Sequence, residues 1–370
     1  MKDLFENWRQ FRNERKHVKP MFQKAKIKPY IDLALFAEGG NVFAGKTASI
    51  PREFIAPTLE RYYEELERLF PEKGDVFRSF RALGSVGKKE MSGDIDLAGD
   101  AGAFFPDGEV TPDDLVAWNV DPESWESTFD RFKMRARTRS DAELGWRAFL
   151  FELATYMNEN SQLIVADTKK VGPGIMFSLF PQFDAEGKAQ DTSVQVDWMI
   201  GNIEWLEFAY YSDPPSADEE FLKGLHRTQL MLAMFLAKGV SYHHSSGLKD
   251  RQTRKFLTDD PAEVVTMLGR LYGGQLERAE TNNFPSLYAW LRENASEEEF
   301  REAIGEYLKI LDKTKSMNLE DEATGEMRAC GYIPRVLEDF WILHHEELGL
   351  KGKYICRDMN EKIWKYINRR

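Results

Sequence analysis

The sequence predicts a mixed α/β protein in which a small mixed β-sheet is backed by helices. Three observations point there. Short apolar or alternating runs such as Asp94–Leu97, Ile175–Phe180 and Val194–Ile200 read as strands. Longer stretches with apolar residues at helical spacing lie between and after them. No internal repeat or low-complexity segment interrupts them.

The chain has 370 residues, enough for about two or three domains or one elaborate one. Its 42% hydrophobic and 13% aromatic content can fill sizeable cores, and 30% charged residues suit a soluble surface. No apolar run reaches membrane-spanning length, and the stretch Met1–Glu6 lacks the apolar core of a secretory leader. Cys330 and Cys356 form no Cys-x-x-Cys pair, which argues against a structural zinc and a disulfide framework. A cytoplasmic protein with reduced thiols is the expectation. The net charge of −12 repels nucleic acid in bulk, so any nucleic-acid contact needs a local basic patch. Arg9 to Lys28 is one candidate and Arg131 to Arg139 the other; both also read as solvated helix faces.

Along the chain, residues 1–30 predict a basic helix and connector, and Ile31 to Phe36 a short strand ending in a Gly39-Gly40 turn. Residues 52–70 predict a helix with Phe54, Leu59, Tyr62, Tyr63, Leu66 and Leu69 on its apolar stripe, ended by Pro71 and Gly74. Val76 to Leu83 reads as a strand. Pro- and Asp-rich turns open the stretch 111–139. Residues 141–159 predict an amphipathic helix, and the runs 175–180 and 194–200 a long hairpin. Residues 218–238 predict a helix stopped at Gly239. From residue 260 the chain reads as mostly helical. The expected domains are a basic helical segment over 1–50, a sheet domain with a helical insertion over 51–210, a smaller subdomain over 211–275 and a helical region over 276–370.

The chemistry concentrates in Leu83-Gly84-Ser85-Val86-Gly87-Lys88-Lys89-Glu90-Met91-Ser92-Gly93-Asp94-Ile95-Asp96-Leu97. On a strand Asp94 and Asp96 share a face and can share divalent cations. The Gly84-Ser85 turn offers backbone N–H groups and a hydroxyl to phosphate oxygens, and Lys88 and Lys89 offer point charges to a leaving pyrophosphate. Asp197 lies in the apolar strand Val194-Gln195-Val196-Asp197-Trp198-Met199-Ile200 without a local counter-charge. A carboxylate so placed is costly unless a metal or partner meets it.

With Gly84-Ser85, a short spacer, Ser92-Gly93-Asp94-Ile95-Asp96 and a third acid on a later strand, the sequence resembles the DNA polymerase β-like nucleotidyltransferase superfamily. In element order it is closest to the family X DNA polymerases. Lys170 to Ile200 looks like their palm hairpin. Tyr210-Tyr211 falls where they carry an aromatic pair at the sugar. Ala237-Lys238-Gly239-Val240-Ser241-Tyr242, Ser246-Gly247-Leu248-Lys249-Asp250 and Thr258–Val265 are similar to their subsequent elements.

The resemblance implies a nucleotidyltransferase palm, with Asp94, Asp96 and Asp197 as catalytic metal ligands for two Mg²⁺ ions, or Mn²⁺ in their place. It also implies a nucleotide site of Gly84, Ser85, Lys88, Lys89, Ser92, Gly93, Tyr210, Tyr211 and Arg227. The expected reaction moves a nucleoside monophosphate from an NTP or dNTP to an acceptor hydroxyl, foremost the 3′ end of a nucleic acid. Transfer to a protein or small molecule, or a silent nucleotide-binding protein, are the alternatives. The chain departs from the family pattern in three places. Ser212-Asp213 follows the aromatic pair in place of a glycine turn. Arg227 or Thr228 stands near the position of the family's base-facing asparagine. Helix-hairpin-helix DNA anchors are not recognisable.

His243-His244 on a strand would point to opposite faces and chelate poorly together, and Trp198 and Trp205 read as core.

Overall fold

The computed structural model describes residues 42–349 except positions 44, 85, 89, 107, 109, 137–138, 212–223, 244–245, 314–316, 321–326 and 331–336, all within one compact unit, Leu33–Arg370. The expectations for residues 1–41 lie outside the described residues. The architecture is mixed α/β with a small mixed sheet, as the patterning predicts.

A short strand β1 (Ile50–Pro51) leads into helix α1 (Arg52–Leu69) and, after a 3₁₀ turn, α2 (Gly74–Arg78). Strands β2 (Arg81–Ala82), β3 (Met91–Ser92) and β4 (Asp94–Asp100) follow, then helices α3 (Ala101–Phe104), α4 (Pro112–Ala117), α5 (Pro122–Arg135) and α6 (Asp141–Asn160). Strands β5 (Val165–Ala166), β6 (Ile175–Phe183) and β7 (Ala189–Gly201) close the main sheet, and α7 (Ile203–Ala209) ends the segment. Beyond it come α8 (Gly224–Ala237), a three-stranded antiparallel sheet of β8 (Val240–His243), β9 (Gly247–Asp250) and β10 (Phe256–Thr258), and helices α9 (Pro261–Leu271), α10 (Phe284–Asn294) and α11 (Glu297–Lys313). A hairpin of β11 (Met317–Glu320) and β12 (Met327–Cys330) precedes α12 (Glu338–His344).

The main sheet has the order β2-β4-β7-β6-β5. Only β4 and β7 run parallel; the other pairings are antiparallel. A parallel pair needs a long crossover, supplied by everything from α3 to β6. On one face of the sheet Ile95, Leu97, Val194, Val196 and Trp198 meet Tyr62 and Leu66 of α1 and Phe149, Leu150 and Leu153 of α6 in the principal core. Trp198 is fully buried there, edge-on to Tyr62 and Phe80. Cutting it to alanine would cost about 3–5 kcal/mol. The opposite face carries Asp94 and Asp96 on β4 and Asp197 on β7. It is continued by a smaller apolar cluster of Leu83, Ala98, Ile175, Met199 and Leu206, against which Tyr210 packs.

Several expectations change. Residues 76–83 are not one strand: Gly74–Arg78 is helical and only Arg81 and Ala82 pair, with Ala98 and Leu97. Phe77 is drawn into the aromatic cluster with Phe70, Trp118 and Trp198, which a turn of helix satisfies and an extended chain would not. The Pro- and Asp-rich turns of 111–121 are N-caps: Thr111 accepts from the Asp114 N–H and Asp121 from the Ser124 N–H, starting α4 and α5. The interval between Asp96 and Asp197 thus holds α3, α4, α5 and α6, not a single added helix. The described part of the chain after residue 260 is mostly helical, as expected, with one addition: β11 and β12 pair antiparallel. Met317-Asn318-Leu319-Glu320 alternates apolar and polar residues ahead of a link containing Thr324-Gly325, a hairpin signal. Of the helix expected over 218–238, the described part begins at Gly224 and stops before Gly239, whose φ is +74°.

The base of the β6–β7 hairpin depends on Gly174. Its φ is +71°, and a Cβ there would lie 2.5 Å from the Ile200 carbonyl oxygen, whose residue donates its own N–H to the Gly174 carbonyl at 2.7 Å. Gly174→Ala should therefore lower unfolding stability by about 2 kcal/mol or more. Chemical denaturation checks this; an unchanged midpoint would contradict the packing described for the hairpin.

Candidate metal and phosphate site

The site follows from strand register. Asp94 pairs with Gln195 and Asp96 with Asp197 across the parallel β4–β7 ladder. Because side chains alternate, these four residues share one face. One carboxylate oxygen from each of Asp94, Asp96 and Asp197 lies within 4.8 Å of the other two. Asp197 is 1% exposed, while Asp94 and Asp96 are half-buried.

Burial, then the neighbouring carboxylate of Asp94, pushes the Asp96 carboxyl well above its ordinary range. Burial, then Asp96 and Asp94, does the same to Asp197, opposed by a hydrogen bond from Gln195. Gln195 Nε2 donates to Asp197 Oδ2 at 3.0 Å. Asp197 Oδ1 is buried and, among the described residues, has no hydrogen-bond partner. Each ionised pair at this spacing repels by roughly 3 kcal/mol. A divalent cation would remove that repulsion and satisfy Oδ1, and an all-oxygen donor set suits a hard ion such as Mg²⁺ or Mn²⁺.

The Gly84 turn opens beside this cluster because the chain leaves β2 opposite Asp96: the Leu83 N–H donates to the Asp96 carbonyl at 2.9 Å. Gly84 has φ +60°, and a Cβ on it would lie 3.6 Å from Asp96 Oδ2 and 3.8 Å from the Tyr210 carbonyl oxygen. The turn is tied down from α1, since Arg52 Nη2 donates to the Lys88 carbonyl at 2.9 Å and the Arg52 N–H to that of Glu90.

Lys88 is exposed, its Nζ 5.4 Å from the centre of the Tyr211 ring. Tyr210, at the C-terminal end of α7, donates its hydroxyl to Met199 Sδ at 3.5 Å. Burial, then Asp96, Tyr242 and Asp197, holds its phenol well above the ordinary value. Asp94, Asp96, Asp197, Gly84, Lys88, Tyr210 and Tyr211 therefore form one neighbourhood. Ser92 is buried and pairs with Ile50, and Gly93 is exposed between β3 and β4. Ser85, Lys89 and Ser212-Asp213 lie outside the described residues.

Arg227 sits elsewhere in the chemistry. It is 1% exposed; its Nε donates to the Thr281 carbonyl at 2.6 Å and its Nη1 to those of Phe208 at 2.6 Å and Ala209 at 3.3 Å. The two Nη1 bonds secure the end of α7, which Tyr210 follows, and Thr228 Oγ1 adds a third there by donating to the Ala209 carbonyl. Trp198 and Trp205 are both fully buried, as read from the sequence.

Much of the second basic stretch is used within the fold. Arg131 lies over the Phe151 ring at 4.7 Å, and Lys133 pairs with Asp141 at 3.1 Å. Among the described residues no helix is long and apolar enough to cross a membrane.

Sequence reasoning missed Gln195 and the segment preceding β1. Gln195 is fully buried, and its Oε1 accepts the Val42 N–H at 3.2 Å. The alternation Gln195-Val196-Asp197 was the available signal, because it places the amide on the face of the acid. Compared with known proteins, the chain matches no family model and no curated protein.

The raised carboxyls make a stability prediction. A folded state that holds protons more tightly than the unfolded chain loses stability as pH rises from the ordinary carboxylate range through the raised values. In chelator at pH 8, Asp96→Asn should thus raise unfolding stability by roughly 1–3 kcal/mol, with the gain vanishing below about pH 4, where both forms are neutral. Thermal melts across pH check this; a variant less stable than wild type at pH 8 would contradict it.

Proposed function

We propose that the protein is a divalent-cation-dependent nucleotidyltransferase of the DNA polymerase β-like type, with the five-stranded sheet as its palm. The observation that carries this reading is the in-register juxtaposition of Asp96 and Asp197, with Asp94 beside them and the Gly84 turn opening onto Asp96. Asp94, Asp96 and Asp197 would hold the cations. When bound, Mg²⁺ or Mn²⁺ would draw charge from the phosphate oxygens and favour loss of the acceptor hydroxyl's proton.

The residues of the chain supply the remainder. N–H groups of the Gly84 turn approach the triphosphate, because residue 84 lacks a side chain that would hold the phosphate off. Lys88 would neutralise the pyrophosphate. Tyr211, beside Lys88, offers a flat ring to the nucleoside. In the reaction the acceptor oxygen bonds to the α-phosphorus, the bond from that phosphorus to the bridging oxygen breaks, and pyrophosphate leaves. The acceptor's proton passes to a carboxylate of the cluster.

The order of elements after Asp197 favours a nucleic-acid 3′ end as acceptor. A protein or small-molecule acceptor is favoured instead by the net charge of −12 and by the engagement of Arg131 and Lys133 within the fold.

Incubation with Mg²⁺ and NTPs or dNTPs labelled at the α-phosphate, with and without an oligonucleotide primer, tests the proposal. Label appearing on primer supports end extension, and label on protein or a small hydroxyl compound supports the second acceptor class. Nucleotide that binds without turnover on any acceptor would contradict transferase activity. Asp96→Ala and Asp197→Ala should each lower turnover by roughly 10³-fold or more, as expected for loss of several kcal/mol of charge stabilisation. Unimpaired turnover in either would reject their assignment. Lys88→Ala should raise KM for the nucleotide about tenfold; an unchanged KM would remove Lys88 from the site.

A further inference from the structure

The four side chains that the β4–β7 register places together are three acids and one amide, Gln195. Two bonds hold this amide. Its Oε1 accepts the Val42 N–H at 3.2 Å, and its Nε2 donates to Asp197 Oδ2 at 3.0 Å. The polarity is fixed by chemistry: a backbone N–H can only donate and an ionised carboxylate can only accept, so the amide cannot be reversed without losing both bonds.

Val42 is itself held, because the segment that follows it is laced along the sheet. The Ala48 N–H donates to the Ser193 carbonyl at 2.9 Å. Gln182 Nε2 donates to the carbonyls of Ala48 at 3.0 Å and Ser49 at 3.3 Å. Ile50 then pairs with Ser92, two residues before Asp94.

We infer that Gln195 is a positioning residue for Asp197, through which the Val42 backbone fixes that carboxylate by pinning Oδ2 and leaving Oδ1, buried and without a hydrogen-bond partner among the described residues, as the oxygen offered to a cation. The inference rests on the reading of the three aspartates as a divalent-cation site. An amide in this place has an advantage over a lysine or arginine, since it holds the carboxylate without contributing a positive charge that would oppose the cation. It also tempers the rise in the Asp197 proton affinity caused by burial and by Asp96.

The alternative is that Gln195 only ties residue 42 to the sheet, in which case its loss changes stability and not cation affinity. Mn²⁺ binding to the full chain, read from the electron paramagnetic resonance signal of the free ion, separates the two. Gln195→Met keeps the side-chain volume and removes both bonds. Val42→Pro leaves the amide intact and removes only the N–H that anchors it. Gln195→Met should weaken Mn²⁺ binding about tenfold or more, and Val42→Pro severalfold, in proteins whose circular dichroism matches wild type.

Wild-type affinity in Gln195→Met overturns the inference while leaving the cation site standing. If Gln195→Met does not fold, Val42→Pro decides, and wild-type affinity there overturns the inference. If wild type binds Mn²⁺ no better than Asp197→Asn, the cation-site reading fails, and the inference with it.

Discussion

The parallel, in-register pairing of β4 with β7 is the constraint from which the rest of the site follows. It sets Asp96 beside Asp197 and Asp94 beside Gln195, and it forces a crossover that brings α6 onto the other face of the sheet, where α1 also packs. The heavy aromatic core around Trp198 serves this pairing. Two strands that hold like charges together need apolar burial behind them to offset the repulsion. The acids therefore sit on the sheet face with the smaller apolar cluster, and the stabilising burial lies on the face opposite.

Electrostatics and packing act in opposite directions here, and the conflict is local. Asp197 is an acid in an environment that resists its ionisation, with one oxygen held by an amide and the other without a partner among the described residues. A structural carboxylate would ordinarily be given a basic partner. Asp197 instead takes an amide: Gln195 Nε2 donates to its Oδ2, while Arg227 donates to the carbonyls at the end of α7 and Arg52 to the turn that contains Lys88. The result is a concentrated group of carboxylates with a neutral amide on Asp197 and Lys88 in the same neighbourhood, an arrangement suited to a divalent cation beside a polyphosphate.

What was legible in the sequence follows the range over which each signal acts. Asp94 and Asp96 were readable from two-residue alternation, and Asp197 from a charge set in an apolar strand. The helix at Asp141–Asn160 and the strands of the long hairpin carry strong periodicity and were found. The strand expected from Val76 to Leu83 fails at 76–78 because Val76 and Phe77 look strand-like locally, while the aromatic cluster that makes them helical is assembled from distant segments. The hairpin at 317–330 was obscured by surrounding helical composition. Gln195 was overlooked because its meaning depends on Val42, 153 positions away. Arg227 was assigned toward the nucleotide by its place in the element order, a signal that does not tell which way a guanidinium points.

Diffraction from crystals of the full chain soaked with Mn²⁺ and a non-hydrolysable nucleoside triphosphate tests the central claim most directly. The account predicts anomalous scattering between the carboxylates of Asp94, Asp96 and Asp197, with the triphosphate against the Gly84 turn. Manganese bound elsewhere, or a carboxylate cluster that stays empty while nucleotide is bound, would contradict it.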